Sequence, residues 1–246
     1  MKKLFAFFAL GAMICFVSCQ KPANQKSGEK TPDEKTPEEE TQSGAITIDG
    51  SFEDWEVLGD KGKNNPNSPY EAVKEFRIYN DAEFIYYYIA YDKDYLKELV
   101  EAENDLPIRL NFNTDGEFTS GYEKYFLERY DFMIEGAIAN AGVWSSFDAP
   151  FYQRFEEGWG KPALLGEGSG LALGAGSGNE YEICVNIEMF NDAANTSPDP
   201  KPMGKTFQTG LTFYDGGWST IAVLPNASID DNADGWGSLL EYTLVD

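Results

Sequence analysis

Aromatic side chains are concentrated in one stretch of the chain, between Trp144 and Trp159. Sugar rings stack their C–H faces on aromatic rings, and their hydroxyl groups bind carboxylates and guanidinium groups. A segment that offers both kinds of group has the chemistry of a carbohydrate-binding surface. The aromatic residues are Trp144, Phe147, Phe151, Tyr152, Phe155 and Trp159, and the charged residues among them are Asp148, Arg154, Glu156 and Glu157.

We expect Trp144 and Trp159 to provide the stacking surfaces, with Tyr152 and Arg154 as polar contacts on the same loop, because loops carry binding residues more often than the framework does. The alternative is that these rings fold inward and form a small core under the loop. Trp218 follows the turn residues of Asp215–Gly217. It is a second candidate ligand contact, although we expect a Trp at this position to cover the end of the sheet.

An acidic loop near the C-terminus has the spacing of a calcium site. Asp230, Asn232, Asp234 and Glu241 occupy the first, third, fifth and twelfth places, and a Gly follows the third of them. Ca²⁺ binds such sets of carboxylate and carbonyl oxygens. The alternative is an ordinary turn before the last strand, since the residues that follow resemble a strand. A shorter turn, residues 113–117, is a second candidate.

The N-terminus has the form of a bacterial lipoprotein signal. Two Lys residues precede an apolar run, Leu4–Val17, that is shorter than the roughly 20 residues of a membrane-spanning helix. Ser18 and Cys19 follow it, so we expect cleavage before Cys19 and lipid attachment to that residue. The alternative is an ordinary secretory signal. Residues 1–18 are thus the predicted signal peptide of an outer-membrane lipoprotein that faces the cell surface or the periplasm.

Residues 19–44 are predicted to form a disordered tether after the lipidated Cys. They are rich in Lys, Glu, Pro and Thr and lack aromatic residues, so they bury too little apolar area to offset the entropy of ordering. Residues 45–246 show no second linker of this kind. Their length is sufficient for one domain with a hydrophobic core.

The composition excludes several function classes. The net charge of −23 opposes nucleic-acid binding, which requires an excess of Lys and Arg, and opposes direct adhesion to an anionic membrane. The chain contains no His, which excludes Ser-His and Cys-His nucleophile pairs and His-ligated zinc. Cys184, in an apparent strand, is the cysteine that remains after the signal peptide and the lipidated Cys19 are set aside, and we expect a buried thiol. No motif nominates a catalytic pair, and we expect no enzymatic activity.

The hydrophobic pattern predicts an antiparallel β-sandwich with one or two short helices. Its clearest signals are a hairpin over residues 73–92 and a helix over 94–102. In the hairpin, residues 73–80 alternate, and the dense aromatic and aliphatic run of residues 83–92 is typical of a strand buried on both faces. In the helix, apolar residues recur at helical spacing. Residues 142–160 and 166–178 are expected to form loops. The remaining predicted strands start at Ile46 and cover 107–116, 130–138, 181–190, 204–214, 218–224 and 237–245.

The segment Ile48–Trp55, an Ile-Asp-Gly turn followed by acidic residues and Trp, resembles the entry strand of family 9 carbohydrate-binding modules and their wider DOMON-like β-sandwich relatives. The predicted hairpin at 73–92 and the strands at 107–116 and 181–190 are similar to later signatures of that group. The resemblance implies a β-sandwich that binds a mono- or oligosaccharide. It also implies that calcium is a possible cofactor, because calcium accompanies some of these modules.

We therefore expect a lipid-anchored, non-catalytic glycan-binding domain at the cell envelope that contacts the membrane only through its lipid. The alternative is a calcium-stabilised adhesion or scaffold domain that binds a protein partner through the aromatic loop.

Overall fold

The computed structural model describes residues 46–65, 70–101, 105–122, 126, 128–140, 143–147, 151–155, 162–166, 170–196, 201–227 and 237–245. Antiparallel strands predominate there, which confirms the all-β prediction, and three short helices accompany them. No helix of this part is long and apolar enough to cross a membrane. In chain order the elements are α1 (Glu53–Leu58), β1 (Lys63–Asn65), β2 (Val73–Asn80), β3 (Phe84–Tyr91), α2 (Lys93–Glu101), β4 (Leu106–Asn113), β5 (Phe132–Asn140), β6 (Val143–Trp144), β7 (Phe151–Phe155), β8 (Pro162–Gly166), β9 (Ala172–Ser177), β10 (Glu180–Asn186), α3 (Ile187–Asn195), β11 (Thr206–Tyr214), β12 (Thr220–Leu224), β13 (Asn226–Ala227), β14 (Gly237–Ser238) and β15 (Leu240–Thr243).

Two large sheets form the sandwich. Sheet A has the strand order β1-β2-β3-β10-β9, and sheet B has the order β12-β11-β4-β5-β7-β8. In sheet B, β15 also pairs with β11, and β6 also pairs with β5. The predicted hairpin is confirmed as β2 and β3, and its turn is closed by Asp81, whose Oδ1 accepts hydrogen bonds from the backbone N–H groups of Glu83 and Phe84 at 2.8 Å each.

The main core lies between the two sheets. Alternate residues of each strand point inward, so that Ile85, Tyr87 and Ile89 of β3 are buried in the same cluster as Leu110 and Phe112 of β4. The sequence of β3 has no polar alternation because its outer face is covered as well, where Tyr86 and Tyr88 are almost fully buried. This confirms that β3 is a strand buried on both faces.

The segment 46–59 covers the outer face of sheet A. The predicted first strand is wrong, since residues 46–48 belong to no strand; Ile46 instead packs on the outer face beside Trp55. The predicted turn is present at Asp49 and Gly50: Ser51 N–H donates to Asp49 Oδ1 at 2.7 Å, and Gly50 has a φ of 78°, which favours Gly. Trp55 is 1% exposed, which confirms its role as an apolar anchor.

A buried carboxylate fastens this segment to sheet A. Glu182, on the outer face of β10, accepts the backbone N–H groups of Asp49 and Gly50 at 2.9 Å each through Oε1. Its Oε2 accepts the Trp55 indole N–H at 3.0 Å. Burial raises the pKa of Glu182 to about 7, although the three donated hydrogen bonds lower it in part. The turn that the sequence marks is therefore held through a residue more than 120 positions away.

Part of the outer face of sheet B is covered by a second apolar cluster, which we call the Phe126 cluster. Its ring system lies directly on the sheet: a Cβ placed on Gly210 of β11 would come within 2.5 Å of the Phe126 ring, so this close approach requires Gly. The members are Phe126, Tyr130, Met133, Phe155, Val223 and Leu239.

Three local predictions are wrong. The predicted loop at 142–160 contains β6 and β7, and the predicted Gly-rich loop at 166–178 contains β9, which pairs with β10 along six residues. The predicted strand at 181–190 ends at Asn186, where α3 begins, because Asn186 Oδ1 accepts the Met189 N–H at 2.8 Å and acts as the helix N-cap. Cys184 is a buried cysteine, as predicted.

Candidate functional site

The structure places the described aromatic residues of the 144–159 stretch in or against the core. The Trp144 ring lies 5.3 Å from that of Tyr181 and 6.4 Å from that of Tyr91, both on the inner face of sheet A. Phe147 and Phe155 are 1% and 0% exposed. For these three residues the structure supports the alternative of a core rather than an exposed stacking surface.

The remaining candidates of this stretch have different positions. Arg154 is fully buried, so its guanidinium does not reach the surface. Tyr152 belongs to β7, where its Cα lies opposite that of Ile134, and its side chain is outside the described part. Trp159 lies outside the described residues altogether, as does the predicted lipidation site, Cys19.

We predict that Trp144→Ala lowers the free energy of unfolding by about 2 kcal/mol, because a large ring that is partly buried against the core would be removed. Urea denaturation of the wild type and the variant measures this difference. Val143→Ala, at the exposed neighbouring position, is the matched control and should change stability by less than about 0.5 kcal/mol. An unfolding free energy for Trp144→Ala equal to that of the control would contradict this packing role.

Trp218 has the exposure that the other described Trp residues lack. Its side chain is 50% exposed, and its backbone has a φ of 65°, a left-handed conformation that is unfavourable for a bulky residue. The turn that imposes this conformation is held by Asp215, whose Oδ1 accepts the N–H groups of Gly217 at 2.9 Å and Ser219 at 2.8 Å. The Trp218 ring packs on that of Tyr214 at 5.4 Å and presents half of its surface to solvent.

Charged and aromatic groups surround Trp218 on the outer face of sheet B. The Arg109 guanidinium carbon lies 4.9 Å from the ring centroid of Tyr214 and 5.5 Å from that of Trp218. Arg109 Nε donates to Glu135 Oε2 at 2.6 Å, and Nη1 donates to the Tyr214 hydroxyl at 3.0 Å. We call Arg109, Glu135, Tyr214 and Trp218 the Trp218 cluster.

The sheet register brings these residues together. Arg109 of β4 lies opposite Glu135 of β5 on one side and opposite Thr212 of β11 on the other, so their side chains share the outer face. Beside them the Asn111 amide donates to Thr212 Oγ1 at 3.1 Å and to the Gly210 carbonyl at 3.3 Å. These hydrogen bonds between buried polar groups of β4 and β11 make the sheet rigid next to the cluster.

The electrostatics of the cluster are balanced. Burial alone would lower the pKa of Arg109, but the Tyr214 hydroxyl, the Glu135 carboxylate and the Tyr130 hydroxyl together raise it above the usual value. Arg109 therefore stays cationic and Glu135 stands beside it as its counter-charge. The pair places hydrogen-bond donors and an acceptor side by side, and their two charges offset one another.

Arg109, Glu135 and Tyr214 are site residues that the sequence did not predict. A signal was present, since Arg109 and Glu135 each interrupt an apolar alternating strand at a position that faces away from the core. Which residue of β5 lies opposite Arg109 depends on the register of the two strands, and the sequence does not state that register.

The structure describes only one of the four proposed ligands of the main calcium candidate. Asp230, Asn232 and Asp234 lie outside the described residues, and Glu241 is an exposed residue of β15 opposite Gln208. The main calcium prediction therefore stays a prediction. No group of three or more acidic, Cys or His residues is arranged for a metal within the described ranges.

At the second candidate, the turn at residues 113–117, a lysine ammonium already provides the positive charge. Lys201 Nζ lies 2.5 Å from Asp115 Oδ2 and 3.2 Å from Asp131 Oδ1. The pKa of Asp131 is raised, first by its burial, while that of Lys201 is raised by the two carboxylates against the effect of burial. This ion pair fixes the turn to the segment that precedes β11.

For a ligand that stacks on Trp218, we predict that Asp215→Ala lowers the affinity about fivefold to tenfold, because the turn loses the acceptor that holds Trp218 in its left-handed conformation. Asp215→Asn keeps an acceptor oxygen and should bind such a ligand like the wild type. Calorimetric titration with the ligand measures both affinities, and circular dichroism checks the fold. Equal affinities for the Ala variant and the wild type would show that the turn does not position the indole.

Compared with models of known protein families, the chain matches none, and no curated protein matches it.

Proposed function

We propose that this chain is a non-catalytic glycan-binding protein of the cell envelope and that the Trp218 cluster is its binding surface. The observation that carries this proposal is the half-exposed indole of Trp218, held in a strained backbone conformation beside the Arg109–Glu135 pair. Strain of this kind persists where the surrounding structure enforces it, and it is concentrated at functional sites.

The chemistry of the cluster suits a sugar. The indole supplies an apolar surface for the C–H face of a pyranose ring, and its partner Tyr214 supports it at a ring distance of 5.4 Å. Arg109 supplies hydrogen-bond donors and Glu135 supplies acceptors, the two functions that neighbouring sugar hydroxyls require. All three groups stand on rigid strands or on a hydrogen-bonded turn, so little ordering entropy opposes binding.

Binding without chemistry is favoured by the carboxylate content of the cluster. Glycoside hydrolysis in most families uses two carboxyl groups on either side of the scissile bond. The Glu135 carboxylate of the Trp218 cluster is engaged by Arg109 at 2.6 Å, and the neighbouring Asp215 carboxylate accepts hydrogen bonds from the backbone of the Trp218 turn at 2.8 and 2.9 Å. The absence of His from the sequence removes the usual general base of other hydrolases.

The proposed location follows from the sequence. The Lys-initiated apolar run before Cys19 is typical of lipoprotein signals, and the Pro- and Glu-rich residues after it suit a tether. We propose that lipid on Cys19 holds the protein at the outer membrane, so that the sandwich contacts glycan while the membrane is reached through the lipid alone.

A glycan array probed with the purified protein tests the proposal. We expect signal on a defined set of neutral glycans, and we expect Trp218→Ala to remove it. Repeating the array with a chelator tests whether glycan binding requires calcium. Loss of signal would be the result expected if the Asp230–Glu241 loop holds calcium. A blank array from folded protein would reject the glycan proposal for the sugars tested and would favour the protein-binding alternative.

A further inference from the structure

The outer face of sheet B has two unlike borders around the Trp218 cluster. On one side lies the Phe126 cluster, whose Tyr130 interacts electrostatically with Arg109. On the other side, beyond β5, lies β6, where Val143 is 68% exposed. A ligand that stacks on Trp218 would reach covered sheet toward the Phe126 cluster and the exposed apolar side chain of Val143 toward β6.

The orientation of Val143 follows from its strand. Its neighbour Trp144 points inward, since it packs on Tyr91 and Tyr181 in the core. Successive side chains of a strand point to opposite faces, so Val143 faces outward, on the same side of the sheet as Arg109 and Glu135. Val143 and Trp218 also lie toward the same end of the sheet. Trp144 pairs with Ala139 near the end of β5, and Ala139 pairs with Leu106 at the start of β4. Trp218 follows the end of β11, which is antiparallel to β4 and therefore ends beside the start of β4.

The strands that lead to these two apolar contacts are farther apart than the width of a single sugar ring. Because Ala139 pairs with Leu106 of β4 and with Trp144 of β6, β6 lies on the side of β5 away from β4. The path from β11, which leads into the Trp218 turn, to β6 therefore crosses β4 and β5. Three inter-strand spacings amount to about 14 Å.

The charges of the cluster and of the whole chain favour a neutral sugar over an anionic one. The Arg109 and Glu135 charges offset one another at 2.6 Å, and the chain as a whole carries a net charge of −23. An anionic sugar would meet the Glu135 carboxylate and the overall negative field, while a neutral sugar would meet balanced donors and acceptors.

Building on the proposed function, we propose that the ligand is a neutral oligosaccharide of two or more units that lies across β4 and β5. Trp218 stacks on one sugar, the Arg109–Glu135 pair binds hydroxyl groups beside it, and Val143 contacts a further sugar. An open strand face binds an internal stretch of a chain as readily as its end.

The test is a calorimetric titration of the purified protein with cello-, xylo-, manno- and malto-oligosaccharides of one to six units. For the series that binds, we expect affinity to rise at least fivefold between one and four units. Val143→Ser should lose most of that rise and keep its affinity for the single sugar, because it removes the second contact only. Val57→Ser, at an 84% exposed position on α1, is the matched control and should behave like the wild type.

Two results would overturn this inference while leaving glycan binding in place: a single sugar that binds as tightly as the tetramer, or a Val143→Ser variant that keeps the whole rise. Tighter binding of uronic-acid oligosaccharides than of neutral ones of equal length would overturn the charge argument. A different result would contradict the proposed function itself. If the Trp218 cluster is not the binding surface, Trp218→Gly and the wild type should have equal affinity for every sugar tested.

Discussion

Replacing Trp218 by Gly is expected to weaken glycan binding about 30-fold or more while leaving the fold intact. The indole is the exposed apolar surface of the cluster, and central aromatic anchors of binding sites typically contribute 2 kcal/mol or more. Gly is the informative replacement because it adopts the φ of 65° without strain. Relief of that strain offsets the added flexibility of Gly in the unfolded chain, so the free energy of unfolding should change by less than about 1 kcal/mol.

Calorimetric titration and urea denaturation measure these two quantities on the same preparation. Val57→Ala removes an exposed apolar side chain from α1, which covers the outer face of sheet A, and controls for a general loss of surface hydrophobicity. Retained affinity in Trp218→Gly would place the binding surface elsewhere. A large loss of stability would instead show that Trp218 stabilises the fold by packing over the end of the sheet.

The second large effect concerns Glu182 and pH. Burial raises the pKa of this carboxyl to about 7 in the folded protein, with Asp49 raising it further, whereas in the unfolded chain the ordinary value is 4.5. The folded state therefore binds the Glu182 proton more tightly. The resulting stabilisation is fully present below about pH 4.5 and is lost as the pH rises through about 7. A shift of this size corresponds to about 3 kcal/mol.

Glu182→Gln isolates this contribution because a neutral amide does not titrate. The unfolding free energy of the wild type minus that of Glu182→Gln should fall by about 3 kcal/mol between pH 4.5 and pH 8. Taking the difference cancels the many other carboxylates of this acidic chain. Glu56→Gln, at an exposed position of α1, is the charge-matched control. A difference that does not vary with pH would mean that the hydrogen bonds from Asp49, Gly50 and Trp55 fully compensate for burial.

The hairpin of β2 and β3 could be predicted because β2 alternates, β3 is a continuous aromatic and aliphatic run, and the acidic turn between them bonds its own backbone. The strand β9 could not. Its glycines indicated a loop, but in the structure a Cβ at Gly176 would lie 2.5 Å from the Tyr181 ring and 2.7 Å from that of Trp144. Gly is required there because aromatic rings of other elements lie against the strand, and a local pattern does not record such contacts.

The candidate site was predicted only in part, for a related reason. Trp218 could be singled out because it follows an Asp-Gly-Gly turn, whereas its partners depend on three strands brought together from positions 109, 135 and 214. Trp144 met the same chemical criteria as Trp218. Only the pairing of β6 with β5 shows that Trp144 faces the core and that its neighbour Val143 faces solvent.

The measurement that tests the binding surface most directly is a ¹⁵N–¹H NMR titration that follows the indole N–H signals of the five Trp residues. Loss of one signal in Trp218→Phe assigns the resonance of Trp218. Adding a neutral oligosaccharide that binds should shift that resonance most strongly and leave the Trp55 resonance in place, since the Trp55 indole is buried and bonded to Glu182. Binding that shifts another Trp signal and leaves Trp218 unmoved would contradict the account.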